Sequence, residues 1–159
     1  GAGGFTDVLL RKGAKRVYAL DAAKGKLAES LRNDDRVYNL NDVNIRDVEA
    51  IEIAEKLDTI VVDVTHISLR LVFPTLMRFA KKGTQVVTVI KPQFELGKAN
   101  VGRNGAIKDN KLYTKAINDT KDTAFKLGFQ PQGICDSPLK EKNGNKEFLM
   151  YSVYEGHEL

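Results

Sequence analysis

The stretch VVTVIKPQFE, Val86 to Glu95, begins as a β-branched apolar run suited to a buried strand, and its apolar character stops at Lys91 and Pro92. Proline fixes the backbone that follows and removes a hydrogen-bond donor, so the strand has to end sharply at the lysine. A lysine in that place either snorkels into water or works at the strand's carboxyl end. The choice depends on what the rest of the chain builds around it.

Working outward, apolar runs alternate with segments of helical period. DTIVVDV, Asp58 to Val64, is a continuous apolar strand, and Ser68 to Ala80 predicts a helix that Lys81, Lys82 and Gly83 close before the strand Thr84 to Ile90. Upstream, Phe5 to Lys12 predicts a short helix ended by Gly13, RVYAL (Arg16 to Leu20) a strand, and RVYNL (Arg36 to Leu40) another. Ala22 to Asn33 predicts a helix with Leu27, Ala28 and Leu31 on one face, and Asp47 to Lys56 a further helix. Downstream, Asp109 to Leu127 predicts a long helix ending at Gly128. Two strands follow, Phe129 to Cys135 and Glu147 to Tyr154, joined by the turn-rich DSPLKEKNGNK. Strands joined without a crossover helix pair antiparallel. The expectation is a doubly wound, mostly parallel α/β sheet with a C-terminal antiparallel hairpin.

The wider composition is compatible with that reading. The 159 residues suit one core; 25 Lys+Arg against 21 Asp+Glu give a net charge of +4, which tolerates a polyanionic partner without demanding one. The single Cys135 forms no internal disulfide, which reads as intracellular, and is expected to be a buried small hydrophobe. No apolar stretch approaches the roughly 20 residues that cross a bilayer, and no signal peptide or metal-ligand spacing stands out. A cytoplasmic domain with no membrane contact is expected.

Ligands of open α/β sheets bind outside the carboxyl ends of the strands. The residues just past each strand are therefore the candidates: Asp21, the stretch Asn41 to Arg46, Asp63 and Lys91. The chain opens with GAGGFT, in which Gly3 and Gly4 precede a helix, as a loop that brings backbone to a cofactor would. Asp21 stands 17 positions after Gly4, a spacing at which a carboxylate can accept hydrogen bonds from ribose hydroxyls. The full G-x-G-x-x-G pattern is absent, and a plain turn accounts for the glycines equally well.

Seven segments, GGFT, RVYALD, NIRD, VVDVTHISLRLVFP, VIKPQFELGK, VGRNGAIKD and GNKEFLMY, stand in the order and approximate spacing of the TlyA (hemolysin A-like) family, which is similar to the FtsJ-like RNA 2'-O-methyltransferases. The resemblance covers essentially the whole chain. It implies a Rossmann-like, S-adenosylmethionine-dependent fold that methylates a cytidine 2'-hydroxyl in ribosomal RNA, with ribosomal RNA or ribosomal subunits as partner. FtsJ-like enzymes use a Lys-Asp-Lys-Glu tetrad, and three of its members map onto Asp63, Lys91 and Glu147. Gly3, Gly4, Phe5, Asp21 and Asp63 would contact the cofactor, and NIRD implies Asn44 and Ile45 near its adenine. The family's first strand, its first tetrad lysine and an S4-like RNA-binding domain have no counterpart here, so the chain is expected to be a methyltransferase domain lacking its N-terminal part. His66 occupies a usually aromatic family position and reads as a packing substitute.

A ribose 2'-hydroxyl is a poor nucleophile, so its proton has to be removed or its developing charge stabilised. Lys91 could act as a neutral base if desolvated; beside Asp63 it would instead be a cation that orients the hydroxyl. Glu147 would hold Lys91 or the ribose. In the glycine-rich loop Pro92 to Asp109, Lys98, Arg103 and Lys108 could clamp RNA phosphates, or the loop could simply be solvated. Two other readings stand beside this one: a membrane-active hemolysin, and a non-catalytic RNA-binding module that keeps the fold.

Overall fold

The computed structural model describes residues 3–21, 27–41, 43–47, 53–141 and 143–156, and of Asp21 and Asn41 the backbone only. The chain divides into two compact units, Gly1–Ala54 and Glu55–Leu159.

In the first unit, helix α1 (Gly4–Arg11) leads into β1 (Val17–Asp21), a single turn of helix α2 (Glu29–Arg32) and β2 (Val37–Asn41). Strands β1 and β2 pair in parallel, Val17 against Val37 through Asp21 against Asn41. Leu10, Val17, Leu27 and Leu31 form the core of this unit, with Leu9, Ala14, Ala19 and Val37 packed against it. Of the expected helix from Ala22, residues 22–26 lie outside the described residues, 27–28 are not helical, and the last turn forms; Ala28 is an exposed cap, off the expected apolar face. Of the helix expected over Asp47 to Lys56, only the ends fall among the described residues. A 3-10 turn, Ile45–Asp47, stands at its start, 48–52 are outside the described residues, and 53–56 are not helical. The Asn44 side chain accepts the Arg46 amide at 3.0 Å, which closes the local turn at Ile45–Asp47.

The second unit carries a four-stranded sheet in the order β3-β4-β6-β5. Strand β3 (Leu57–Val62) runs parallel to β4 (Ala80–Ile90) across helix α3 (Leu69–Leu76), a β/α/β crossover. Helix α4 (Lys111–Lys126) leads to β5 (Phe129–Lys140), which returns through a hairpin to β6 (Lys146–Tyr154); β6 is antiparallel to both β5 and β4. The C-terminal hairpin stands as expected. Val72, Phe73, Val86, Ile90, Phe129 and Met150 are fully buried, and the Phe129 ring lies between those of Phe73 and Tyr154 at centroid distances of 5.2 and 4.7 Å. Each such side chain is worth about 1.5–3 kcal/mol of burial.

Three boundaries differ from expectation. Helix α3 carries Pro74 and stops at Leu76, where the chain tightens into three-residue bonds, Arg78 to Thr75 and Phe79 to Leu76. Ala80 to Gly83, expected to end that helix, instead open β4. Ala80 pairs with Leu57 and Gln85 with Thr59, and the intervening residues bulge out, held by Thr84, whose hydroxyl donates to the Leu57 carbonyl at 2.6 Å and accepts the Lys81 amide at 2.9 Å. Strand β5 continues past Cys135 to Lys140 through two register shifts. Cys135 is exposed rather than buried: β5 is the edge strand, and the extra residue between Pro131 and Gly133 resets which side chains face the core.

Candidate active site

Strand register places the three tetrad candidates together. Val62 is the last residue of β3 and Ile90 the last of β4, so Asp63 and Lys91 follow two parallel neighbours at the same end of the sheet. In the antiparallel pair, Ile90 faces Phe148, and one further step sets Lys91 against Glu147. Lys91 Nζ lies 2.9 Å from Asp63 Oδ1, its side chain 10% exposed and that of Asp63 46%. A strand-end lysine that simply snorkels would be solvated. This amine is buried and paired with Asp63.

Glu147 is half-buried, and its carboxyl is pushed up to about 7. Burial is the largest cause; a hydrogen bond with the Glu141 side chain comes next, Lys91 opposes both, and the charges of Glu141 and Asp63 add to the rise. The strand itself presents Glu147 in an unusual setting. Asp136 pairs with Phe148 and Lys140 with Lys146, so Ser137, Pro138 and Leu139 of β5 stand opposite Glu147 alone. Such a bulge re-aims a side chain, and Pro138 brings no amide to a ladder. Nothing in the spacing of DSPLKEKNGNK revealed that bulge or the approach of Glu141.

The hairpin turn is fixed by Asn145, 2% exposed: its Nδ2 donates to the Gly105 carbonyl at 2.8 Å and its Oδ1 accepts the Ile107 amide at 3.0 Å. The loop Pro92 to Asp109 is therefore a docked structure. It contains 3-10 turns at Pro92–Phe94 and Lys98–Asn100 and a bridge between Val101 and Ile107. Lys98, Arg103 and Lys108 on it are exposed and have no ion-pair partner among the described residues. The loop is tied at its other end by Glu95, which sequence reasoning also missed. The Glu95 carboxylate accepts from Ser68 Oγ at 2.6 Å and from the Leu69 amide at 2.9 Å, closing the start of α3; burial raises its pKa, and these hydrogen bonds oppose the rise. His66, the one non-glycine residue with positive φ (63°) among the described residues, sets its ring 5.0 Å from that of Phe94. His66 is exposed, and its ring contact with Phe94 lies at the rim between the β3 and β4 exits.

The remaining candidates belong to the first unit. Gly3 adopts φ 106°, and a Cβ there would come within 2.5 Å of Leu27 and Leu31, so both backbone and packing require glycine. Gly4 opens α1 with free space where a Cβ would stand, and no side chain caps that helix. Phe5 is 40% exposed. Asn44 is exposed, Ile45 half-buried, and Asn44, Arg46 and Asp47 line an open depression. The Asp21 backbone ends β1; its side chain lies outside the described residues.

A sequence profile described as FtsJ-like methyltransferase matches residues 1–154. The chain is similar to the 16S/23S rRNA (cytidine-2'-O)-methyltransferase TlyA of Mycobacterium tuberculosis, with 40% identity over 149 residues covering 94% of this chain and 56% of that protein. It is also similar to Hemolysin A of Brachyspira hyodysenteriae, 36% identical over 152 residues, 95% of this chain and 63% of the relative. The chain thus spans little more than half the length of these curated relatives. Among solved structures, a Lactococcus lactis protein provisionally named a hemolysin superposes with a TM-score of 0.92 at 40% identity, covering 99% of this chain and 76% of that one. An O-methyltransferase from Bacillus cereus, in complex with SAH, shares the fold at TM-score 0.62 and 18% identity over 96% of this chain and 70% of that one. Sequence and fold thus agree that the chain belongs to the FtsJ-like methyltransferase family.

Proposed function

We propose that this chain is the methyltransferase domain of an S-adenosylmethionine-dependent enzyme that methylates a ribose 2'-hydroxyl, a cytidine's, in ribosomal RNA. The observation that carries the proposal is the buried Lys91 amine, 2.9 Å from Asp63 at the carboxyl ends of adjacent strands, with Glu147 of the antiparallel neighbour facing it. Family membership and relatives named as rRNA methyltransferases support it. The relatives named hemolysin raise a membrane-active alternative; no helix among the described residues is long and apolar enough to cross a membrane. Cytoplasmic work on ribosomal subunits follows from the methyltransferase reading.

The donor fits the first unit on one structural ground: the uncapped N-terminus of α1 offers free amides, with open space at Gly4, to a carboxylate such as the donor's amino-acid part carries. When bound, S-adenosylmethionine supplies a sulfonium methyl. Gly3, Gly4, Phe5, Asp21, Asn44 and Ile45 are the residues proposed to hold it.

The protein's own part is to prepare the nucleophile. Lys91, held in place by Asp63, donates a hydrogen bond to the 2'-oxygen and stabilises the negative charge that develops there. Glu147 titrates near neutrality, where a carboxylate is basic enough to accept the 2'-hydroxyl proton and still largely ionised at mildly alkaline pH. Lys98, Arg103 and Lys108, exposed on a loop docked onto the hairpin, are the cations proposed to meet RNA phosphates. The test is transfer of a labelled methyl group from S-adenosylmethionine to ribosomal subunits by the full-length protein, with the modified ribose mapped by reverse-transcription stops. Lys91→Met should lower incorporation about 100-fold or more. Equal incorporation by Lys91→Met and the parent would overturn the assignment.

A further inference from the structure

The proposed chemistry uses Glu147 of the hairpin, yet a second acid, Glu141, stands at its turn. Lys140 pairs with Lys146, so Glu141 lies opposite Asn145, and its amide donates to the Asn145 carbonyl at 3.1 Å. Alternate residues of a strand share a face. Asn145 and Glu147 are therefore on the same side, with Glu141 the diagonal neighbour of Glu147, a separation that two long side chains bridge. The turn that sets this diagonal is closed by the Gly144 amide bonding to the Glu141 carbonyl at 2.9 Å and anchored by the buried Asn145. Glu141 is half-buried, and its side chain, on the diagonal from Glu147, helps to raise the Glu147 carboxyl through hydrogen bonding and charge. Two carboxyl groups bond to each other only when a proton lies between them.

Other charges near the pair come from each neighbouring strand end. Lys91 follows β4, and Asp63 follows β3. Lys140 and Lys146 alternate onto the opposite face of the hairpin, and Lys142 lies outside the described residues. From α4, the Tyr113 hydroxyl accepts the Lys146 amide at 3.2 Å.

We propose that Glu141 is a positioning residue of the active site: it holds its carboxyl against that of Glu147, so that the ionised pair takes up one proton between its two carboxylates when Glu147 accepts it. The inference rests on the methyltransferase reading above and adds a fourth side chain to Asp63, Lys91 and Glu147. In the reaction, with S-adenosylmethionine as methyl donor, the 2'-hydroxyl proton passes to the ionised Glu147 carboxylate. The oxygen lone pair forms the O–C bond, and the C–S bond electrons return to sulfur, leaving a neutral thioether. The neighbouring Glu141 makes Glu147 the stronger proton acceptor, because like charges side by side resist ionising together.

The experiment is a carbon-13 NMR titration of the glutamate side-chain carboxyls in the full-length protein, with Glu147 assigned by Glu147→Gln, run beside the pH profile of methyl transfer. In the parent, Glu147 should titrate at about 7. In Glu141→Gln its midpoint should fall by about one unit or more, and the acid limb of the rate profile should move with it while the high-pH plateau drops. Glu141→Asp, which keeps the acid on a shorter arm, should fall between the two. A purely structural role would lower the rate equally at every pH and leave the midpoint where it was. A parent in which Glu147 titrates in the ordinary carboxylate range overturns the proposal with no variant needed, as does an unmoved midpoint in folded Glu141→Gln. Absence of methyl transfer by the parent would count against the functional reading instead, since the NMR titration needs no turnover.

Discussion

Asn145 is the residue whose removal the structure prices most clearly. Its amide fills two bonds between segments about 40 positions apart, donating to the Gly105 carbonyl at 2.8 Å and accepting from the Ile107 amide at 3.0 Å, and it is 2% exposed. Asn145→Ala deletes both. A net hydrogen bond is worth about 0.5–1.5 kcal/mol, so the pair accounts for about 1–3 kcal/mol. The backbone groups left behind are half-buried and can recover water, which keeps the cost near the middle of that range, about 2 kcal/mol. With a urea dependence of about 2 kcal/mol per molar, the unfolding midpoint should fall by about 1 M. Hydrogen exchange should locate the loss: the Gly102 amide, bonded to the Ala106 carbonyl at 2.7 Å, and the Ile107 amide should lose protection, while the Val86 to Ile90 strand amides keep theirs at equal distance from the midpoint. Asn145→Asp keeps the acceptor for Ile107 but loses the donor, and it sets a third carboxylate on the face of Glu141 and Glu147, so it should be no better than alanine. A midpoint within about 0.2 M of the parent, with loop protection intact, would refute the idea that Asn145 docks the loop onto the hairpin.

Other outcomes follow from single contacts. Because the Glu147 carboxyl is raised from 4.5 to about 7, the folded state binds more protons than the unfolded chain between those values; its contribution to stability is complete below pH 4.5 and is lost as the pH rises through about 7, so urea midpoints should fall across that window in the parent and less in Glu147→Gln. Glu95→Gln leaves one acceptor where the carboxylate serves both Ser68 Oγ and the Leu69 amide, and chemical denaturation should register a loss of about 1–2 kcal/mol; no loss would mean that Glu95 does not hold the start of α3. Thr88 is fully buried, and its hydroxyl has no partner among the described residues, so Thr88→Val should raise stability by about 1 kcal/mol in the same assay, and a destabilised variant would reveal a partner for the hydroxyl.

The ends of β3 and β4 were legible because the information is local. A β-branched run stopped by Lys91-Pro92 fixes where a parallel strand ends, and Asp63 stands at the corresponding exit of VVDV, so the pair could be named from topology before any distance was known. The bounds of α3 and β4 were misjudged for a reason equally physical. KKG after an apolar helix looks like a basic helix end, but Thr84 uses its hydroxyl to bond the Leu57 carbonyl 27 positions away, which pulls Lys81 to Gly83 out as a bulge in the strand. No window on the sequence contains both partners.

Glu147 was legible only through the GNKEF resemblance; as a residue beside a turn it reads as solvated. Its environment comes from three facts with no sequence period: β6 inserts between β4 and β5, three residues of β5 oppose Glu147 alone, and Glu141 lies on its diagonal. These same facts make the hairpin the adjustable part of the site. Lys91 and Asp63 follow strands whose register is locked by the buried side chains of Val62, Val86 and Ile90, so a substitution that shifted them would cost core packing. Glu141 sits in a short turn beyond the regular ladder, where its side chain can change with little effect on the core, and there a single substitution can retune the proton acceptor while the ion pair stays fixed.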